Sequence, residues 1–180
     1  MLKINYSDLF HAFIQMCEKD PLYKVCININ NPNKGQYKYI PSRPDTIKKV
    51  LYHLSTIKTE LKDLTFTDAG CGYPLLLKIM SIFGCNTQGI ESNPVICALF
   101  PELLEDSILK FDFKKSDIIY AYHPLTDSKM MQTAITNIMS TMKIGAIFYF
   151  AYASNNLPEF QAQFPELKEI GYSNIFYYQK

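Results

Sequence analysis

Apolar residues recur at helical spacing in four stretches of the chain. Two amphipathic stretches lie early in the sequence, over residues 7–19, which Asp20 and Pro21 end, and over residues 45–62. Residues 75–83 are apolar at nearly every position, which is typical of a helix packed on a sheet. A stripe of methionine and isoleucine over residues 129–142 predicts a fourth helix whose stripe lies in the core.

Strand-like runs alternate with these helices in the rest of the chain. They cover residues 65–68, 87–91, 117–122 and 146–152. The third and fourth runs are almost wholly apolar, as in a buried sheet. A loop is predicted at residues 154–158, and two short runs at residues 167–172 and 175–178 predict a closing antiparallel hairpin. A further strand falls either at residues 102–105 or at residues 108–111.

The region at residues 23–39 carries a mixed signal. Val25, Ile27 and Ile29 alternate as in a strand, a turn-forming cluster follows at residues 30–35, and Tyr37 and Tyr39 alternate after it. This pattern predicts a hairpin or a mobile lid.

A glycine-containing turn at residues 65–77 organises the chain. A β-branched run ends at Asp68, Gly70 and Gly72 follow, and an apolar helix begins near Pro74. Glycine permits a positive φ or the close approach of a ligand, and proline is favoured at the first helical position. We expect the amides of this turn to face a crevice that suits a polar or anionic group.

The residues around this turn separate two classes of ligand. A dinucleotide fingerprint needs a third glycine where this chain has Leu75, so that pattern fails. The sequence Asp68-Ala69-Gly70-Cys71-Gly72 instead resembles motif I of the class I S-adenosylmethionine (SAM) dependent methyltransferases. A carboxylate repels pyrophosphate but holds an ammonium group. An ordinary glycine turn between a strand and a helix is the alternative.

A second acid stands at the end of the next predicted strand. Glu91 lies about twenty residues after the turn, where a ribose-binding carboxylate is expected. Asn93 and Pro94 then give the cap and first residue of a helix. The alternative is an exposed acid ahead of that helix. Taken together, the resemblance implies SAM as cofactor and the following binding residues: Asp68, Ala69, Gly70, Cys71, Gly72, Glu91, Ser92, Tyr122, and Asp106 or Asp112.

The choice between Asp106 and Asp112 depends on the third strand. In the family, an acid after this strand accepts from the adenine amino group. A strand at residues 102–105 makes Asp106 that acid, and a strand at residues 108–111 makes it Asp112. In both cases the helix usual between the third and fourth strands is absent or reduced to a turn.

The loop after the fourth strand reads Tyr122-His123-Pro124-Leu125 and occupies the motif IV position of the family. Nucleobase methyltransferases often carry Asn/Asp-Pro-Pro-Tyr there, so the departure disfavours a base as methyl acceptor. His123 has an intrinsic pKa suited to a catalytic base, and Tyr122 is suited to orienting the acceptor. A structural role for His123 is the alternative.

Composition narrows the class of protein further. The chain has 180 residues, 48% of them hydrophobic, and a formal net charge of +1. It therefore lacks the basic excess that drives binding to a phosphate backbone. The five cysteines have no metal-ligand spacing, no apolar run approaches a membrane span, and no signal-peptide pattern opens the sequence. We expect a cytoplasmic protein without a metal site.

These observations lead to one expected architecture. The resemblance implies an α/β fold: a Rossmann-like, doubly wound, mostly parallel sheet with a C-terminal antiparallel hairpin. Residues 1–40 are expected to form an N-terminal helix and hairpin or lid extension, and residues 41–180 a SAM-binding methyltransferase domain. Tyr39, Ser42 and Arg43 are candidates for the border of the cofactor pocket. The alternative is that they only fix the loop before the helix at residues 45–62.

Two functions are expected from this fold. The first is methyl transfer to a small molecule or a protein side chain, with nucleic acid disfavoured. Gly-Ile-Glu-Ser-Asn-Pro at residues 89–94 is weakly similar to small protein-lysine methyltransferases. The second is a SAM- or nucleoside-binding module without transfer activity that acts as a regulatory subunit.

Overall fold

The computed structural model of the protein describes residue 15 and residues 18–29, 42–151, 157–171 and 174–180. Gln15, Glu18 and Lys19 are helical, and the helix breaks at Asp20 as expected. The rest of the helix predicted at residues 7–19, the turn at residues 30–35 with Tyr37 and Tyr39, and the loop at residues 154–156 lie outside the described residues.

Within the described residues, seven strands form one sheet. They are β1 Thr65–Ala69, β2 Asn86–Glu91, β3 Leu104–Glu105, β4 Ile118–Tyr122, β5 Ile147–Ala151, β6 Lys168–Glu169 and β7 Ile175–Gln179. Their order across the sheet is β3-β2-β1-β4-β5-β7-β6. Strands β1 to β5 run parallel to one another, and β7 pairs antiparallel with both β5 and β6. The predicted mostly parallel sheet with a closing hairpin is therefore confirmed.

Helices cover both faces of this sheet. They are α1 Pro21–Asn28, α2 Pro44–Ile57, α3 Leu75–Ile82, α4 Pro94–Leu99, α5 Ser128–Thr141 and α6 Leu157–Gln163. Along β4, Ile118 and Tyr120 join one apolar cluster with α2 and α3, whereas Ile119 and Ala121 join another with α5. This alternation follows from the two-residue period of a strand, and it makes a three-layer structure.

Helix α1 corrects the prediction of a strand at residues 25–29. The Asp20 side chain accepts a hydrogen bond from the N–H of Leu22, and Pro21 stands in the first turn. This cap and proline favour a helix and outweigh the alternation of Val25 and Ile29 that predicted a strand. In the helix, Cys26 is completely buried.

Two further boundaries differ from the sequence pattern. Helix α2 ends at Ile57 and not near residue 62, because the chain turns away through residues 58–64 to begin β1. Helix α6 includes Leu157 and Pro158, where a loop was predicted. Proline is tolerated there because it stands in the first turn of the helix.

The third strand is Leu104–Glu105, so the prediction that placed it at residues 108–111 is wrong. Those residues form a turn, and no helix lies between β3 and β4. The Asn137 side chain in α5 donates hydrogen bonds to the carbonyls of Ile108 and Phe111 at 3.0 and 2.9 Å. This amide therefore fixes the segment that replaces the usual crossover helix.

The strand order reverses at β1, because the chain moves outward through β2 and β3 and then returns to β4 on the other side. Ligands of such sheets bind outside the carboxyl ends of the strands at this switch point. None of the described helices is long and apolar enough to cross a membrane.

Candidate functional site

The glycine turn follows β1 at the switch point. Gly70 and Gly72 have φ values of +83° and +58°, a backbone region that side chains rarely enter. The N–H groups of Gly70 and Cys71 both donate to the carbonyl of Ile90 at 2.9 Å. The sequence pattern predicts Pro74 as the first residue of the helix. In the structure Pro74 is instead the N-cap of α3, which begins at Leu75.

The turn does not present its amides to the cleft in the way that the sequence suggested. The N–H of Gly72 donates to Glu91 Oε2 at 2.9 Å, and the two preceding amides are used by Ile90. All three donors therefore tie β1 to β2. The turn offers a ligand the close approach of its backbone and not a set of open N–H groups.

Two glycines lie where an added Cβ atom would press against neighbouring residues. A Cβ atom on Gly70 would lie 2.8 Å from Cβ of Pro124, so the turn touches the loop after β4. A Cβ atom on Gly89 would meet side-chain atoms of Leu103 at 2.5 Å and Leu77 at 2.8 Å. Gly89 thus permits the close helix–strand contact that the third glycine provides in a dinucleotide fingerprint. Sequence inspection missed this role.

Glu91 is buried, with 8% of its surface exposed, and its carboxylate holds two loops together. Oε1 accepts from the N–H groups of Ser92 and Asn93, both at 2.8 Å, and Oε2 accepts from Gly72. Burial raises the pKa of Glu91 although these three donors act to lower it. Since a carboxylate has about four acceptor positions, roughly one remains, on Oε2.

Asp68 lies at the end of β1 with 6% of its surface exposed. Burial raises the pKa of this carboxyl to about 8; the hydrogen bond with the Cys71 thiol opposes the rise, and the charge of Glu91 adds to it. A cation placed next to Asp68 would favour its ionised form and reverse this shift. The two acids therefore share one end of the sheet, as the sequence predicted from their spacing.

A cleft opens beside Asp68, and its empty volume is about 340 Å³ including space open to solvent. Ser42 belongs to its wall and accepts a hydrogen bond from the buried Tyr120 hydroxyl at 2.9 Å. Arg43 is exposed and precedes α2. The lining residues are Ser42, Ile47, Asp68, Gly70, Cys71, Tyr73, Leu75, Leu76 and Tyr122.

The loop after β4 brings Tyr122 and His123 to the same region. Tyr122 lines the cleft, and His123 has a left-handed backbone with φ of +37°. The N–H of His123 donates to the carbonyl of Ala151 at 3.0 Å, which fixes the loop to β5. Burial lowers the pKa of the His123 imidazole, so it is neutral at pH 7. A strained backbone at such a residue is typical of functional sites.

His53 is not part of this region. Its Nδ1 lies 3.1 Å from the Tyr149 hydroxyl, and its ring packs against Tyr177. These contacts make it a structural residue.

The structure separates the two candidate acids after β3. Asp106 follows the strand directly, and its N–H donates to the Glu91 carbonyl at 3.0 Å. Asp112 is exposed and pairs with Lys114, and the N–H of the next residue, Phe113, donates to Thr141 at the carboxyl end of α5. Asp112 therefore lies near the carboxyl end of α5, whereas Asp106 lies next to Glu91. Neither acid is among the residues that line the cleft beside Asp68.

Sequence inspection also missed the partners of Tyr73. This residue is 2% exposed, and its hydroxyl donates to Asp20 Oδ2 at 2.7 Å. Asp20 followed by Pro21 is a local helix-start signal, but nothing local connects it with a residue 53 positions away. Within the described part of the chain, no group of His, Cys, Asp and Glu residues is arranged to hold a metal ion.

No protein-family profile and no curated protein matches this sequence. Several solved structures share its fold. A magnesium protoporphyrin IX methyltransferase from Synechocystis with bound SAM is 15% identical, with a TM-score of 0.60 over 74% of this chain and 77% of that one. A second similar structure is that of a protein from Methanococcus maripaludis described as a SAM-dependent methyltransferase. It is 11% identical, with a TM-score of 0.58 over 95% of this chain and 93% of that one.

A third similar structure is a 16S rRNA methyltransferase from T. thermophilus in complex with AdoMet and guanosine. It is 13% identical, with a TM-score of 0.55, and the match covers 81% of this chain but only 45% of that protein. At these identities the comparisons show the fold, and they agree with the strand order and the closing hairpin. The chain therefore has the Rossmann-like fold of the class I SAM-dependent methyltransferases.

Proposed function

We propose that this protein binds SAM in the cleft beside Asp68 and transfers its methyl group to an acceptor. The observation that carries the proposal is the placement of Asp68 and Glu91. These buried acids end adjacent parallel strands at the switch point of a class I fold, and the hydrogen bond from Gly72 to Glu91 joins their loops. An adenosyl amino acid carries an ammonium group and a ribose, which suit two carboxylates one strand apart.

The residues present fit the parts of this cofactor. Asp68 is a buried acid whose carboxylate gains its charge partner when an ammonium group binds, which recovers part of its desolvation cost. Glu91 Oε2 keeps about one acceptor position for a ribose hydroxyl. For Glu91 to bind both ribose hydroxyls, Oε1 has to give up its hydrogen bond with the N–H of Ser92 or Asn93. Asp106 stands beside Glu91 for the adenine amino group.

The acceptor end of the site is assigned to the loop after β4. Bound SAM supplies an activated methyl group, so the protein has to align a nucleophile and remove a proton where the nucleophile carries one. Tyr122 lines the cleft and orients the acceptor. His123 is held neutral by burial, and a neutral imidazole accepts a proton.

A small molecule or a protein side chain is the proposed acceptor class. The net charge of +1 gives no basic footprint for a nucleic acid, and the motif IV loop lacks the amide or acid that grips a planar base amine. The similarity to an rRNA methyltransferase extends over less than half of that protein.

The second candidate function is a SAM- or nucleoside-binding module without transfer activity. The same loop favours it, because Tyr122-His123-Pro124 stands in place of the Asn/Asp-Pro-Pro-Tyr that amino and nucleobase methyltransferases often carry. Such a module keeps Asp68 and Glu91 but needs no base at position 123. Its role would be that of a partner-binding or regulatory subunit.

Calorimetric titration with SAM, S-adenosylhomocysteine and NAD tests the cofactor first. We expect both adenosyl compounds to bind and NAD not to bind; binding of neither adenosyl compound contradicts both candidate functions. Incubation of the protein with radiolabelled SAM and cell-lysate fractions then tests transfer. Label incorporated by wild type and lost in Asp68→Ala supports the enzyme. Tight SAM binding without incorporation into any fraction supports the binding module.

A further inference from the structure

Helix α1 packs against the wall of the cleft that Tyr73 forms. The rings of Tyr23 and Tyr73 meet edge to face, with centroids 5.3 Å apart. Cys26 has no exposed surface and belongs to the same apolar cluster as Cys71 and Phe100. Phe100 also meets the Tyr73 ring edge to face, with centroids 5.5 Å apart. A helix of the predicted N-terminal extension thus lies directly on the glycine turn.

The helix also lies near the second acid of the site. Burial raises the pKa of the Cys26 thiol to about 11, and the negative charges of Asp20 and Glu91 contribute to the rise. Glu91 is itself 8% exposed. Helix α1 therefore packs on Tyr73, which directly follows the glycine turn and lines the cleft.

A single carboxylate connects α1 with the turn. Asp20 Oδ1 accepts from the N–H of Leu22 at 2.9 Å and caps the helix, while Oδ2 accepts from the Tyr73 hydroxyl at 2.7 Å. Lys78 Nζ donates to the same hydroxyl at 3.2 Å, which favours the tyrosine proton pointing towards Asp20. The start of α1 is thereby tied to the residue that directly follows Gly72.

We propose that Asp20 and Tyr73 form a latch that seats α1 on the cleft, and that the cofactor exchanges only when this hydrogen bond opens. The inference rests on the proposed SAM binding. Tyr73 is then a positioning residue that acts through α1. A charge-assisted hydrogen bond is stronger than one between neutral groups, so its loss should shift α1 measurably towards the open position.

Rates of SAM exchange test the latch. We would measure association and dissociation of tritiated SAM, the latter by a chase with unlabelled SAM, for wild type, Tyr73→Phe and Asp20→Ser. Serine still caps the helix, but its single hydroxyl does not also hold Tyr73. We expect both rate constants to rise roughly fivefold in each variant, as for the loss of one hydrogen bond. The dissociation constant should change less than twofold, because the latch closes the free and the loaded protein alike.

Two substitutions serve as matched controls. Asp127 caps α5 through the N–H of Met130, so Asp127→Ser makes the same change at a helix start outside the cleft lining. Tyr149 is a buried tyrosine bonded to His53, so Tyr149→Phe removes a buried hydroxyl that is not in the cleft wall. Both should leave the exchange rates unchanged. The double variant Asp20→Ser/Tyr73→Phe should exchange no faster than either single variant, because the two residues form one interaction.

Hydrogen exchange separates a gate from a purely structural contact. The amides of α1 should exchange faster in Tyr73→Phe than in wild type, without a matching change in α5. A rise in the dissociation rate alone, or unchanged rates in both latch variants, would overturn the proposal while leaving SAM binding intact. A wild-type chain that binds no SAM overturns the cofactor assignment, and the latch with it.

Discussion

The carboxylate of Glu91 accepts a hydrogen bond from the N–H of Gly72 at 2.9 Å across the gap between the first two strand ends. The same carboxylate holds the amides of Ser92 and Asn93 at the start of the next loop. Glu91 therefore holds the two loops together and is also the proposed ribose ligand. A substitution at this position has to be measured for both roles.

We expect Glu91→Ala to weaken SAM binding by about 1–3 kcal/mol, as for the loss of a charge-assisted hydrogen bond. It should also lower the free energy of unfolding, since three amides lose their acceptor. Calorimetry below the melting transition of the variant measures the first effect, and urea denaturation the second. Glu105→Ala is the control, because Glu105 is the register partner of Glu91 on β3 and is exposed. An unchanged dissociation constant in folded Glu91→Ala would remove the ribose assignment.

Asp68 should make the stability of the ligand-free protein depend on pH. Its pKa is about 8 in the folded chain against a usual value of 3.8, so the folded state holds a proton that the unfolded state loses. The contribution of this carboxyl to stability is fully present below about pH 4 and is lost as the pH rises to about 8. Relative to Asp68→Asn, wild type should lose up to about 1.4 kcal/mol per pH unit in this window. Urea denaturation of both proteins at pH 5, 6, 7 and 8 gives the difference, and a constant difference would contradict the raised pKa.

The same carboxyl predicts the pH dependence of cofactor binding. An ammonium ligand requires ionised Asp68, so SAM binding by wild type should release a proton and become tighter as the pH rises from about 6 to 8. A side-chain amide does not titrate, so the Asp68→Asn variant should bind SAM weakly and without this slope. Calorimetry in buffers of different ionisation enthalpy counts the protons directly. No proton release by wild type at pH 7 would place the ammonium elsewhere.

The strand, glycine turn and second acid could be predicted because their signals are local. Gly70 and Gly72 mark the turn, and Asn93 followed by Pro94 marks the next helix start. Asp68 and Glu91 then lie together because the carboxyl ends of neighbouring parallel strands lie at the same end of the sheet.

Other features depend on contacts that no local pattern encodes. Alternation at Val25 and Ile29 fits a strand and also one turn of a helix, and the Asp20 cap decided the outcome. The third strand has only two residues, too few for a periodic signal, so Asp106 and Asp112 could not be separated from the sequence. The bond between Tyr73 and Asp20 joins segments that only the fold brings together.

Gly70 should tolerate alanine less well than a glycine of the same backbone geometry. Gly70 and Gly145 have φ values of +83° and +82°, but an added Cβ meets Pro124 only at Gly70 and has nothing within 4 Å at Gly145. Gly145→Ala should cost about 1–2 kcal/mol from backbone strain alone. Gly70→Ala should cost a further 1–3 kcal/mol or so, because Pro124 has to move. Denaturation of the two variants gives the difference, and equal losses would show that the Pro124 loop yields without cost.

His123 offers the sharpest test of catalysis, because its backbone lies in the left-handed region with φ of +37°. Asparagine tolerates this conformation but is not a base, so His123→Asn removes the imidazole with less strain than alanine adds. If His123 takes the acceptor's proton, kcat should fall by about 10²–10⁴-fold while the dissociation constant for SAM stays unchanged. Burial lowers the pKa of His123, so wild-type activity should rise with pH along a limb below pH 6.5 and be level at neutrality, and the variant should lack this limb. His53→Asn, at a histidine bonded to Tyr149, should keep the profile. Full turnover by folded His123→Asn would exclude the base role and leave His123 as the residue that ties the β4 loop to Ala151.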